Sequence, residues 1–151
     1  MVEPTLKFSR DEFAARLART RRAMHAKGID LLICSDPSNM NWLTGYDGWS
    51  FYVHQAVLVP PDGEPVWYGR LQDANGAKRT AYLGHDNIVP YADHYVQSTE
   101  RHPMDYLSQV IAERGWDRLV IGVEMDNYYF SAAAFAALPK HLPNARFADA
   151  A

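Results

Sequence analysis

Tyr46, Trp49, Phe51 and Tyr52 place four aromatic rings within residues 43–55, with His54 beside them and Gly45 and Gly48 marking the turns. A strongly apolar segment follows at once. A core strand has no need of such a loop, and a plain surface turn would not expose so much aromatic area. Tryptophan and tyrosine combine a large apolar body with a polar tip, which suits small-molecule pockets and protein interfaces alike. A histidine titrates close enough to neutrality to donate to a polar ligand or accept from it. The chemistry on offer is therefore recognition, with ring faces for an apolar or cationic group and an imidazole for a polar one. The blander alternative, in which Trp49 and Phe51 fold back over a sheet as a satellite core, stays open, since buried aromatics are common.

Groups suited to covalent work are sparse. The chain has no His-Glu-x-x-His, no Gly-x-Ser-x-Gly, no P-loop and no dinucleotide fingerprint. His85, Asp86, Asp93, His94 and His102 are metal ligands by type, but their spacings match no compact site, so solvated side chains are expected. Glu124 and Asp126 follow an apolar strand at the end where α/β proteins place ligands. A turn and a helix cap account for them equally well. Cys34, the single cysteine, stands in an apolar run with nothing to lower its pKa and reads as a small buried hydrophobe.

The elements that must position the loop follow from periodicity and punctuation. Ser9-Arg10-Asp11-Glu12 has the form of a capping box, the serine taking an orphan amide and the glutamate reaching back. Phe13, Leu17, Thr20 and Met24 then recur at helical spacing, while Arg16, Arg19, Arg21 and Arg22 fall mostly off that stripe and are expected on a solvated face. Residues 30–35 read as a strand buried on both faces. Asp36-Pro37-Ser38 opens a brief helix that ends at Gly45. Residues 55–59 and 66–68 flank the dense turn Pro60-Pro61-Asp62-Gly63-Glu64-Pro65 and form a hairpin.

A helix is predicted over 73–83, and an edge strand interrupted by Pro90 over 87–91. After a polar loop, a helix starts at Pro103 with the stripe Met104, Leu107, Val110 and Ile111 and closes at Gly115. A second buried strand covers 118–124, a helix over 131–138 is stopped by Pro139, and a last strand covers 145–148. Strands alternating with helices define an α/β chain, a three-layer-like sandwich with a mixed, mainly parallel sheet.

With 151 residues, 48% of them apolar and 22% charged, the chain is one globular domain with a sizeable core. A net charge of −3 argues against a nucleic-acid partner. No apolar run approaches the roughly 18 residues that span a bilayer, so no membrane partner is expected. One cysteine and an N-terminus without a secretory pattern point to a soluble, cytoplasmic protein.

Taken in order, the chain resembles the N-terminal domain of the creatinase, prolidase and aminopeptidase P family. The features that carry the resemblance are Phe8-Ser9 before an arginine-rich helix, Gly28-Ile29-Asp30, Ser38-Asn39-Met40-Asn41-Trp42-Leu43-Thr44-Gly45, Asp86-Asn87-Ile88-Val89 and Ile121-Gly122-Val123-Glu124. Finer detail resembles the ectoine hydrolase branch. That detail is the stretch over 45–55, Trp67-Tyr68-Gly69-Arg70 with Gln72-Asp73-Ala74-Asn75-Gly76, and the segment from His94 to Pro103.

The resemblance implies a ribonuclease H-like fold and a separate C-terminal catalytic domain of pita-bread fold beyond residue 151. The family's peptidases bind two metal ions in that domain, while creatinase-like amidine or amide hydrolases can work without metal. It therefore implies no cofactor and no catalytic residue in residues 1–151, and leaves a divalent metal open for the C-terminal domain. It also implies a homodimer in which the segment between the first short helix and the second strand crosses to the partner's active site. Trp49, Phe51, Tyr52 and His54 become the substrate-binding candidates, expected at the surface. In creatinase an arginine follows the aromatic matched by Phe51; Val53 and His54 stand there instead, which argues against creatine. A cyclic, partly cationic solute such as ectoine suits a loop of rings, each cation–π contact contributing roughly 0.5–2 kcal/mol. The expected function is an accessory and dimerisation domain of a hydrolase acting on a non-peptide C–N bond. An Xaa-Pro dipeptidase or aminopeptidase domain and a non-catalytic binding module are the alternatives.

Overall fold

The computed structural model describes residues 2–151. Its elements are α1 (Arg10–Ala26), β1 (Leu31–Cys34), α2 (Pro37–Thr44), β2 (Ala56–Val59), β3 (Val66–Arg70), α3 (Leu71–Thr80), β4 (Ile88–Tyr91), α4 (Pro103–Glu113), β5 (Val120–Val123), α5 (Ala132–His141) and β6 (Arg146–Asp149). The six strands form one sheet in the order β4-β3-β2-β1-β5-β6. β1 pairs parallel with β5, β5 with β6 and β3 with β4, whereas β2 runs antiparallel to both its neighbours. The sheet is thus mixed and mainly parallel, with the hairpin as its antiparallel part. Pro90 lies on the edge strand, where a missing N–H costs the ladder nothing.

Alternation divides the core in two. Leu31, Ile33, Leu58, Tyr68, Ile121 and Val123 face Leu107 and Ile111 of α4 and Leu138 of α5. Cys34, Val57, Val59 and Trp67 face the other way, onto Met24 of α1, Met40 and Leu43 of α2, and Ala74 and Ala77 of α3. The result is an α/β/α sandwich. Burial holds the Cys34 thiol well above its ordinary pKa, with Glu124 and Asp36 adding to the effect, so it packs as a hydrophobe.

Several local expectations need correction. Ser9 accepts from the Glu12 amide at 3.1 Å, but Glu12 turns its carboxylate to Arg16 at 3.0 Å instead of completing the capping box. Arg16 is buried and not solvated. Its guanidinium lies 4.3 Å from the Phe8 ring centroid and 5.3 Å from that of Trp42, and it donates to the Trp42 carbonyl. A planar, weakly hydrated cation tolerates that setting where an ammonium would not. α3 begins two residues earlier than predicted and ends three earlier. α5 runs through Pro139 to His141, because the proline sits in its last turn and the Leu142 amide still reaches the Leu138 carbonyl at 3.0 Å.

Candidate functional site

The aromatic stretch fills the gap between α2 and β2, and both its ends are fixed by local chemistry. Asp36 caps α2 by accepting from the Ser38 and Asn39 amides at 2.8 and 3.3 Å, and Pro37 opens its first turn. Gly45 ends it at φ 83°, the left-handed region that glycine enters without strain. Tyr46, the first ring, is buried against Trp67 at a centroid distance of 5.3 Å. Gln55, at the far end, donates to the Tyr46 hydroxyl at 2.9 Å and to Asp73 at 3.0 Å. Gly48 passes so close over the Tyr46 phenol that a Cβ there would lie 2.3 Å from its oxygen, so the turn admits no larger residue without moving the ring.

The other three rings stand in the open: Trp49 is 60% exposed, Phe51 60% and Tyr52 58%. The satellite-core alternative is thereby excluded for Trp49 and Phe51. His54 differs from the expectation of a surface group. It is half-buried, its ring 4.7 Å from that of His102, and its own carbonyl accepts from the Tyr91 hydroxyl at 2.6 Å. Burial, and secondarily the His102 ring, push its pKa down to about 4, so the imidazole is neutral near pH 7.

Two residues not singled out from the sequence complete this surface. The chain leaving β5 carries Tyr128 and Tyr129. Tyr128 is 75% exposed, with its ring 6.2 Å from that of Phe51. The Tyr129 hydroxyl accepts from the Trp49 indole N–H at 2.7 Å, a bond between residues 80 apart in sequence. Parallel pairing of β1 with β5 brings their C-terminal ends together and so brings these segments side by side. Pairs of aromatic residues following a buried strand were the only available signal.

Glu124 lies underneath. Its carboxylate is buried and accepts from the Ser35 amide at 2.6 Å, the Asp36 amide at 2.8 Å and the Asn39 side chain at 2.5 Å. It fastens the end of β5 to the turn between β1 and α2, a structural role; Asp126 is exposed.

Two clefts flank the ridge formed by residues 52–54. One, of about 70 Å³, runs between Phe51 and Tyr128–Tyr129 down to Ser35 and Met40. The other, of about 120 Å³, lies between His54 and the turn leading into α4, with Tyr91, Tyr95, Arg101 and His102 on its walls. His102, expected to be solvated, is instead the cap of α4: its Nδ1 accepts from the Met104 amide at 3.0 Å while its own amide donates to Asp105 at 2.8 Å. Asp93 pairs with Arg70 at 2.9 Å. Among the described residues, no three histidine, cysteine, aspartate or glutamate side chains come together to share a metal ion.

Fold and surface together define an α/β/α domain with an aromatic ridge at the strand ends. The chain belongs to the creatinase/prolidase N-terminal domain family, whose model matches residues 16–151. It is 60% identical to an ectoine hydrolase of Halomonas elongata over 99% of its own length and 38% of that protein. It is 43% identical to an uncharacterised hydrolase/peptidase of Sinorhizobium fredii over 96% of its length and 37% of that protein. The chain thus spans well under half of these curated relatives. Among solved structures, a proline dipeptidase from Streptococcus pneumoniae superposes with a TM-score of 0.69 at 19% identity, covering 89% of this chain and 90% of that one. At that identity the likeness concerns the fold. No helix among the described residues is long and apolar enough to cross a membrane.

Proposed function

We propose that this chain is the N-terminal domain of a hydrolase that opens a non-peptide C–N bond in a small cyclic solute of the ectoine type. In this reading the domain does no catalysis alone. Its ridge of Trp49, Phe51, Tyr52 and His54 forms one wall of a pocket completed by a C-terminal catalytic domain, across the interface of a cytoplasmic homodimer. Any metal belongs to that second domain.

The observation that carries the reading is the 60% identity to an ectoine hydrolase along essentially the whole chain. The geometry supports it physically. Three large rings held out in water are an unfavourable surface for an isolated domain and a favourable one for a pocket wall. Stacked over a delocalised cation such as an amidinium, each ring face contributes roughly 0.5–2 kcal/mol, more as water is excluded. His54, neutral and partly desolvated, adds a polar contact at no charge penalty.

The test is steady-state kinetics of the full-length enzyme on ectoine and on an Xaa-Pro dipeptide. Trp49→Ala and Tyr52→Ala should each raise KM for ectoine about tenfold with kcat little changed, the signature of lost ground-state binding. An unchanged KM refutes the pocket-wall role, and turnover of the dipeptide in place of ectoine refutes the substrate class.

A further inference from the structure

The two clefts beside the ridge differ in polarity. No lysine or arginine lines the cleft under Phe51 and Tyr128. Ser35 and Pro37 on its floor belong to the turn whose amides the Glu124 and Asp36 carboxylates hold. The cleft on the other side of residues 52–54 is the reverse: Arg101 and the His102 imidazole line it together with His54, which borders both clefts, and no aspartate or glutamate does. Of the nearby acids, Asp105 is engaged elsewhere, taking the His102 amide and pairing with His141 at 2.9 Å, and Glu100 pairs with Arg101 only loosely, at 3.8 Å on the surface.

The donors in this second cleft are free to act. Because His102 Nδ1 accepts from the Met104 amide, its proton sits on Nε2, and among the described residues that N–H has no acceptor. Neither ring nitrogen of His54 has a hydrogen-bond partner among them. Both imidazoles are held below their ordinary pKa by burial, so each keeps one N–H to give near neutral pH. The segment that carries Arg101 is shaped tightly: Gln97 takes φ 51°, and the Ser98 hydroxyl accepts from the Glu100 and Arg101 amides at 3.1 Å each.

We propose that this second cleft is a carboxylate subsite, with Arg101 supplying the cation and His102 and His54 supplying neutral N–H donors. A guanidinium presents paired N–H groups to a carboxylate, and flanking neutral donors add hydrogen bonds without repelling the cation. The inference rests on the reading of the substrate as a cyclic amidine, and deepens it. Ectoine carries an amidinium and a carboxylate on one ring, so it would straddle the ridge with its cationic side over the rings and its carboxylate against Arg101. Arg101 acts here as a specificity-determining residue with no part in the chemical step.

The experiment compares ectoine with its carboxamide, which keeps the ring and loses the negative charge, in full-length wild-type enzyme and in Arg101→Gln and Arg101→Lys. Arg101 is about half exposed, so both variants should fold. Arg101→Gln should raise KM about tenfold or more for ectoine and less than about twofold for the carboxamide, with Arg101→Lys recovering part of the loss. Equal effects on both compounds, or none on either, overturn the subsite. Failure of the wild-type enzyme to hydrolyse ectoine would overturn the substrate assignment alone. In that case the subsite is read from the imidazole nitrogen resonances of His102 and His54 in this chain during titration with acetate, acetamide serving as control. A shift specific to acetate and abolished by Arg101→Gln supports the subsite, and no acetate-dependent shift overturns it.

Discussion

Glu124→Ala should be among the most damaging single substitutions near the ridge, and its magnitude can be worked from the geometry. The carboxylate accepts three hydrogen bonds, from two backbone amides and the Asn39 side chain, in a buried position. Truncation leaves donors without acceptors at about 1–3 kcal/mol each, offset in part because a charge is no longer held away from water. A net loss of about 3–5 kcal/mol follows, equivalent to a fall in Tm of about 8–15 °C for a domain of this size. Glu124→Gln should behave differently. Its carbonyl oxygen can still accept from the Ser35 and Asp36 amides, and its amino group can donate to Asn39 once that side-chain amide turns over, since Asn39 Oδ1 has no other partner among the described residues. Only the charge assistance is lost, about 1–2 kcal/mol. Urea and thermal unfolding followed by circular dichroism measure both variants. A Glu124→Ala protein within 3 °C of wild type, or a Glu124→Gln protein as unstable as it, would refute the reasoning (thresholds of roughly one interaction).

Two further outcomes are expected. Tyr129→Phe removes the acceptor of the Trp49 indole N–H, so that proton's resonance should move towards the solvent-exposed position while stability changes by less than about 1 kcal/mol; an unmoved resonance would contradict the bond. His54 is held at about 4 against an ordinary 6.5, so the unfolded chain takes up a proton that the folded chain refuses; stability present above pH 6.5 is lost as the pH falls towards 4. His54→Gln should flatten that part of the stability profile by on the order of 2 kcal/mol, measured by urea unfolding at pH 7 and pH 5.

What was legible in the sequence was set by chemistry within a few residues. Asp36-Pro37-Ser38 and Gly45 bound α2 because a cap, a preset φ and a left-handed residue act locally. Pro90 identified an edge strand for the same reason. The solvent exposure of Trp49, Phe51 and Tyr52 was expected from the family resemblance, since the loop's residues alone left a satellite core open. The misreadings that bear on the ridge and the core depend on distant partners. Arg16 is buried because Phe8 and Trp42 close over it, and His54 because His102 arrives from the other side of the sheet's end. Tyr128 and Tyr129 join the ridge through parallel pairing of strands that stand some 90 residues apart, which periodicity cannot reveal. Whether a proline ends a helix likewise depends on its place in the last turn, as Pro139 illustrates.

The bond between Gln55 and the Tyr46 phenol closes the loop at its base. Both closing residues are buried, and the segment between them makes few backbone hydrogen bonds of its own. The entropy of bringing the loop ends together is therefore met by the stem and varies only slowly with what is strung across it. Within the loop, Gly48 and Val53 are fixed by the Tyr46 ring and the core, but residues 49–52 amount to an exchangeable cassette: the exposed rings there can be swapped, shortened or made polar without disturbing the sandwich below. Under the proposed pocket-wall role, such a domain changes the compounds it meets far faster than it changes its fold, and recombining this one segment between relatives becomes a route to altering specificity.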